Sequence, residues 1–230
     1  MKLGGARWRT LISTVRLGRD EYRVVRPAKP LKHAPMYDTY DAYRGVQVIV
    51  DKAAALELAV AWEFAMRSPR TLVYLPLRET EWDCRGVGDG EEPLLDLVLM
   101  HHSLGFPPSR WKEVRARLGP GRPHTVHSRG FPPLDDLLTP DHQPLRRAYR
   151  EVVRHHFAAD TLFLTGSWKA FALNGDEWRR LVEDGPRHMH ENPGDHCCAE
   201  IKVERDWDWL HVVYCDEHRV SANTDRWVCV

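Results

Sequence analysis

The sequence predicts an α+β fold: a single mixed β-sheet with a central βαβ unit, packed helices, and β-hairpins at the N- and C-terminal ends. Three observations carry that expectation. Two β-type runs flank the turn residues "GRD" near the start. A β-branched run, an Ala/Leu-rich run and a second apolar run succeed one another within residues 45–78. Short β-type runs return between 161 and 218. The chain has 230 residues, 43% hydrophobic and 29% charged, which suits one α+β domain over 1–230 rather than a disordered chain.

Trp8–Leu17 and Tyr22–Arg26 form the first predicted hairpin. Residues 1–33 hold nine Lys/Arg against Asp20 and Glu21, a local charge of +7. Such charge discourages edge-to-edge pairing, or it offers a surface to an acidic partner. "GVQVIV" follows as a strand, with Asp51 placed to cap the next helix. That helix, "KAAALELAVAWEFAMR", is apolar nearly all round, with Glu57 and Glu63 as its internal acids. It should be buried on most sides. Pro69 ends it, and "TLVYLPL" returns as a strand parallel to the first.

"RETEWDCRGVGDGEE" reads as an exposed acidic loop without a phosphate-binding glycine pattern. Its Cys84 sits among acids that oppose thiolate formation. "EPLLDLVLMHHSLGF" reads as a helix with Pro93 in the first turn. "PPSRWKEVRARLG" reads as another, capped by Ser109 and stopped by Gly119. The Pro/Gly-rich stretch after it reads as a long irregular connection. Residues 107–130 carry six Lys/Arg against Glu113, a local +5. "PLRRAYREVVRHHFAAD" reads as an amphipathic helix whose apolar stripe includes His156. "TLFLTGSWKAFAL" reads as a hairpin turned at Gly166–Ser167, and "NGDEWRRLVEDG" as a short helix.

The segment "HCCAEIKVERDWDWLHVVYCDEH" closes the predicted fold as a hairpin. Pairing Val203 with Leu210, Ile201 with Val212 and Ala199 with Tyr214 puts the apolar side chains on one face. The other face then sets Cys198 opposite Cys215, with His196 and His218 near the same open end. These four residues make a candidate structural zinc site, because Zn²⁺ takes four N/S ligands in a tetrahedron. A Cys198–Cys215 disulfide and plain packing of thiols are the alternatives. Glu200 lies diagonal to His211 in this register, and a carboxylate beside an imidazole can orient it for proton transfer. His211 and Glu200 are therefore the candidate catalytic pair.

Other histidines rank lower. His188-Met189-His190-Glu191 falls in a loop-like stretch that could hold a metal. His101-His102 and His155-His156 are adjacent pairs on predicted helices, where neighbours diverge by about 100°. His124 and His127 lie in the long connection. The chain has no G-x-S-x-G around Ser167 and no H-E-x-x-H.

No apolar stretch of signal-peptide or membrane-spanning length follows the N-terminus, and five cysteines do not make a disulfide scaffold. A cytoplasmic location follows as an expectation. The net charge of zero counts against nucleic acid as the main partner. Nine Trp and thirteen His fit either a pocket or a large aromatic core. The composition points first to a protein that binds a protein partner, with a possible zinc at the last hairpin. An enzyme using His and Glu on a small or phosphorylated substrate is the second reading. A nucleic-acid binder using residues 1–33 and 107–130 is the third.

Overall fold

The computed structural model describes residues 2–39, 45–80, 93–138, 151–192, 195, 197–203 and 209–215. Eleven strands are seen among them: β1 Arg7–Leu17, β2 Asp20–Pro27, β3 Met36–Asp38, β4 Val46–Val50, β5 Thr71–Leu75, β6 Asp96–His101, β7 Arg122–His127, β8 Arg154–Phe157, β9 Thr161–Gly166, β10 Cys198–Lys202 and β11 Trp209–Tyr214. The helices are α1 Lys52–Arg67, α2 Trp111–Ala116, α3 Leu134–Leu137, α4 Trp168–Ala172, α5 Gly175–Glu183 and α6 Gly185–Glu191. The fold is α+β, with two mixed sheets. One runs β7-β1-β2-β5-β6-β9-β8; the other runs β10-β11-β4-β3.

The expected single sheet and its βαβ unit do not form. β4 and β5 flank α1 as expected, but they enter different sheets. The reason lies in the helix itself. Every residue from Leu58 to Met66 is buried, so α1 shows no solvent stripe. A helix covering one sheet face would keep such a stripe. α1 instead lies enclosed, and its core cluster draws on strands of both sheets. Two isolated bridges join the sheets, Tyr37 to Leu94 and Val153 to Val203.

The N-terminal hairpin matches its sequence pattern, with Leu17 facing Asp20 across the turn. Asp51 caps α1, its Oδ1 accepting from Ala54 N at 2.7 Å. Trp62 Nε1 donates to the Phe171 carbonyl at 2.9 Å, which ties α1 to α4. α2 covers the opposite face of the larger sheet, where Trp111 packs edge-on to Tyr74 and Phe163.

Four further stretches depart from expectation. Residues 96–101 form a strand, not a helix. β6 lies between β5 and β9, and a strand buried on both faces reads as an unbroken apolar run. Residues 122–127 form edge strand β7, in which only Val126 is buried, so no alternation betrays it. Residues 154–157 form edge strand β8, and His156 is exposed rather than part of an apolar stripe. Ser167 does not turn a hairpin: it caps α4, its Oγ accepting from Ala170 N at 3.0 Å. Gly166 permits that transition, because a Cβ there would sit 3.2 Å from Ala170 Cβ and 3.3 Å from the Phe171 ring. The stretch holding His188 and His190 is helical, as α6.

Candidate functional site

The C-terminal hairpin forms, but in a different register. Ala199 faces Val212, Ile201 faces Leu210 and Glu200 faces His211. The slip is two residues, so the inward and outward faces are those the sequence predicts. Val203 leaves the hairpin to bridge Val153, and β11 pairs in parallel with β4 on its other side. Both contacts lie far away in sequence, where the apolar pattern of the hairpin carries no information.

The slip changes the proposed zinc site. Cys198 faces Val213, and Cys215 lies two residues further along. Diagonal neighbours of this kind have Cβ atoms about 7–8 Å apart or slightly less. A disulfide needs about 3.5–4.5 Å, and neither cysteine is in one. His196 and His218, the other two proposed ligands, lie outside the described residues. Among the described residues no group of three or more His, Cys, Asp or Glu side chains could hold a metal ion. Burial pushes the neighbouring Cys197 thiol up, with Asp195 and Asp184 adding to the rise and Arg180 opposing it. It is a poor thiolate.

The same slip also changes the geometry of the candidate pair Glu200 and His211. Glu200 now lies directly across from His211, and the row continues to Gln47 on β4 and Tyr37 on β3. His211, Gln47 and Tyr37 are buried, whereas Glu200 is exposed. An exposed carboxylate thus leads into a polar row crossing all four strands of the smaller sheet.

The remaining histidines do not converge. His188 Nε2 pairs with Asp195 Oδ2 at 2.8 Å on the surface of α6. His190 lies two positions on, which on a helix is about 200° away. The His101 and His102 rings lie 4.5 Å apart, and His101 Nδ1 meets Ser103 Oγ at 2.8 Å. Burial, then His102, lowers the His101 pKa. His155 and His156 alternate across β8 and so face opposite sides. Cys84 lies outside the described residues. The tryptophans at 8, 62, 111 and 178 are all at most 1% exposed, so these four serve the core.

The two basic stretches meet. β7 pairs with β1 along Arg7–Ile12, so residues 1–33 and 107–130 share one end of the larger sheet. Their charges, +7 and +5, sum to +12 in a chain of net zero, and everything else must therefore carry −12. The acids of this end are already engaged. Asp20 pairs with Arg110 at 3.1 Å, Glu21 with Arg16 at 2.8 Å, and Glu113 with Arg117 at 2.9 Å. Arg7, Arg9, Arg19, Arg23 and Arg122 are exposed and enter no ion pair among the described residues.

The geometry at this end is specific. α2 covers the Ser13–Leu17 half of one β1 face and leaves the Arg7–Leu11 half open. On the open half Arg7 lies opposite His127, and Arg9 opposite Thr125. Arg26 shares that face and donates to the Gly119 and Pro120 carbonyls at 2.8 and 3.1 Å. The loop after β7 is anchored from beneath by Glu63 of α1, which is fully buried. Its carboxylate accepts from Ser128 Oγ at 2.5 Å and Arg129 N at 2.9 Å, and pairs with Arg67 at 3.3 Å. Sequence reading located Glu63 as an internal acid but offered no sign of its partners, which are 65 and 66 residues away.

Among the described residues no helix is long and apolar enough to cross a membrane. No protein-family model matches the chain, and neither does any curated protein or solved structure.

Proposed function

We propose that this chain is a binding protein whose β7-β1-β2 end engages an acidic macromolecular partner. One observation carries the reading: two basic stretches 74 or more residues apart in sequence are paired strand to strand, and their few acids are spent internally. The neutral total charge does not oppose this, since local field depends on where charges lie. The test is retention of the purified chain on immobilised heparin at low ionic strength. Elution by moderate salt supports the reading; passage without retention refutes it.

A second reading is favoured by the direct Glu200–His211 opposition. Here the buried imidazole acts as general base or acid, oriented by Glu200, on a small or phosphorylated substrate. Loss of hydrolysis of an activated phosphate ester in His211→Gln, with unchanged melting, would support it. A structural zinc held by His196, Cys198, Cys215 and His218 is tested by elemental analysis of the purified chain.

A further inference from the structure

Resting on the binding reading, we propose that the partner is a nucleic-acid duplex, gripped by its phosphate backbone without base readout. The open half of the sheet presents arginine rather than lysine at Arg7 and Arg9. Guanidinium forks suit phosphate oxygens in a bidentate manner that ammonium groups do not. The two lie on the same face at i and i+2, about 7 Å apart along the strand. Across from them Thr125 and His127 supply hydrogen-bonding groups of the kind that position a backbone.

Other occupants fit this surface less well. Strand addition by an acidic peptide needs an open edge. β7 is an edge strand, but Pro123 lacks the N–H that such a partner would use. The His127 carbonyl is already taken by Arg67 Nη2 at 2.7 Å. A protein partner also needs buried apolar anchors, and this face offers only half-buried Leu11 and the exposed ring of Pro123. Unpaired bases need aromatic platforms. The aromatics of these elements, Trp8, Tyr22 and Trp111, are buried in the core. What is left is charge with hydrogen-bonding groups, the recognition chemistry of a duplex backbone.

The experiment measures fluorescence anisotropy of the full chain with mixed-sequence DNA and RNA duplexes, the corresponding single strand, and polyglutamate, between 50 and 200 mM salt. Backbone binding is read over about this range of salt. Duplex binding should weaken linearly in log–log form with salt. The double variant Arg7→Gln/Arg9→Gln should reduce that slope by about 2, as expected for two lost phosphate contacts. At 0.1 M salt the same loss corresponds to roughly 60-fold weaker binding. Thr125→Glu, an exposed change that leaves both arginines in place, should weaken binding in the same direction. Arg187→Gln on α6 should change nothing. Binding of polyglutamate but of neither duplex would overturn this inference and leave the binding reading standing. Binding of no polyanion would overturn both. Preference for the single strand, salt-independent binding, or a slope unaltered in the double variant would each overturn the duplex assignment.

Discussion

Replacing Glu63 with Ala should unfasten the end of the molecule that carries the unpaired arginines. The carboxylate is fully buried, and it accepts two hydrogen bonds from the segment that follows β7. Hydrogen bonds to a charged group contribute about 1.5–3 kcal/mol each. Truncation also leaves Arg67 without its carboxylate, but that side chain is 26% exposed and can rehydrate, which limits the added cost. Breaking a buried ion pair by removing one partner costs roughly 3–5 kcal/mol, and we expect the Ala variant in that range. For a chain of this size each kcal/mol shifts the melting temperature by about 2–4 °C, so the fall should be roughly 6–20 °C. Glu63→Gln keeps the volume and one acceptor and should cost about half as much. Calorimetry measures the shift, and amide hydrogen exchange shows where it acts. Faster exchange should concentrate at residues 122–130, with duplex binding weakened in parallel. A melting temperature within about 2 °C of the parent, or faster exchange confined elsewhere, would refute the anchoring argument.

Gly175→Ala should be destabilising, because a Cβ there would lie 2.5 Å from Phe131 Cβ and Cγ. Overpacking of this kind costs about 1–3 kcal/mol, and adding Phe131→Leu should recover part of the loss in thermal melts. Tyr74→Phe should flatten the alkaline limb of the stability profile. Burial, then the Asp96 carboxylate that accepts its hydroxyl at 3.0 Å, raises the Tyr74 pKa. A raised native value gives stabilisation that is intact below the ordinary tyrosine pKa of about 10 and is lost as pH rises beyond it. Denaturant midpoints at successive alkaline pH values check this; equal slopes for the parent and Tyr74→Phe would contradict it. Glu57→Gln should behave similarly in acid. Desolvation raises the Glu57 pKa despite the hydrogen bond from Trp8 Nε1 at 3.0 Å, and nearby Asp51 adds to the rise. Its favourable contribution is therefore present below the ordinary glutamate range and lost as pH climbs through the raised value. The variant should lack that loss when melted between acidic and neutral pH.

Local pattern revealed the elements whose burial is regular. The N-terminal hairpin alternates, and α1 is apolar all round, so both were legible. The same all-round apolarity also excluded a one-sheet βαβ unit, since such a helix needs cover on every side. β6 was hidden because burial on both faces erases the period-two signal. β7 and β8 were hidden for the opposite reason: exposed edges need not alternate. The last hairpin shows a finer limit. Its faces were legible because an even slip preserves them, but its register depended on Val153 and β4, far off in sequence. Cys198 and Cys215 therefore looked opposed when they are diagonal, whereas Glu200 and His211 proved closer than predicted. The basic end was legible as two charged stretches, and only the β1–β7 pairing made them one surface.

The enclosure of α1 has a consequence for how the chain can be cut. A greasy rod sheathed by ribbons from distant parts of the sequence owes its shelter to all of them at once. Clipping away the C-terminal ribbons β10 and β11 should bare the β4 edge they cover and the apolar side chains clustered with Ala199, Ile201, Leu210 and Val212, and the shortened product should clump rather than persist as a smaller, well-behaved fold.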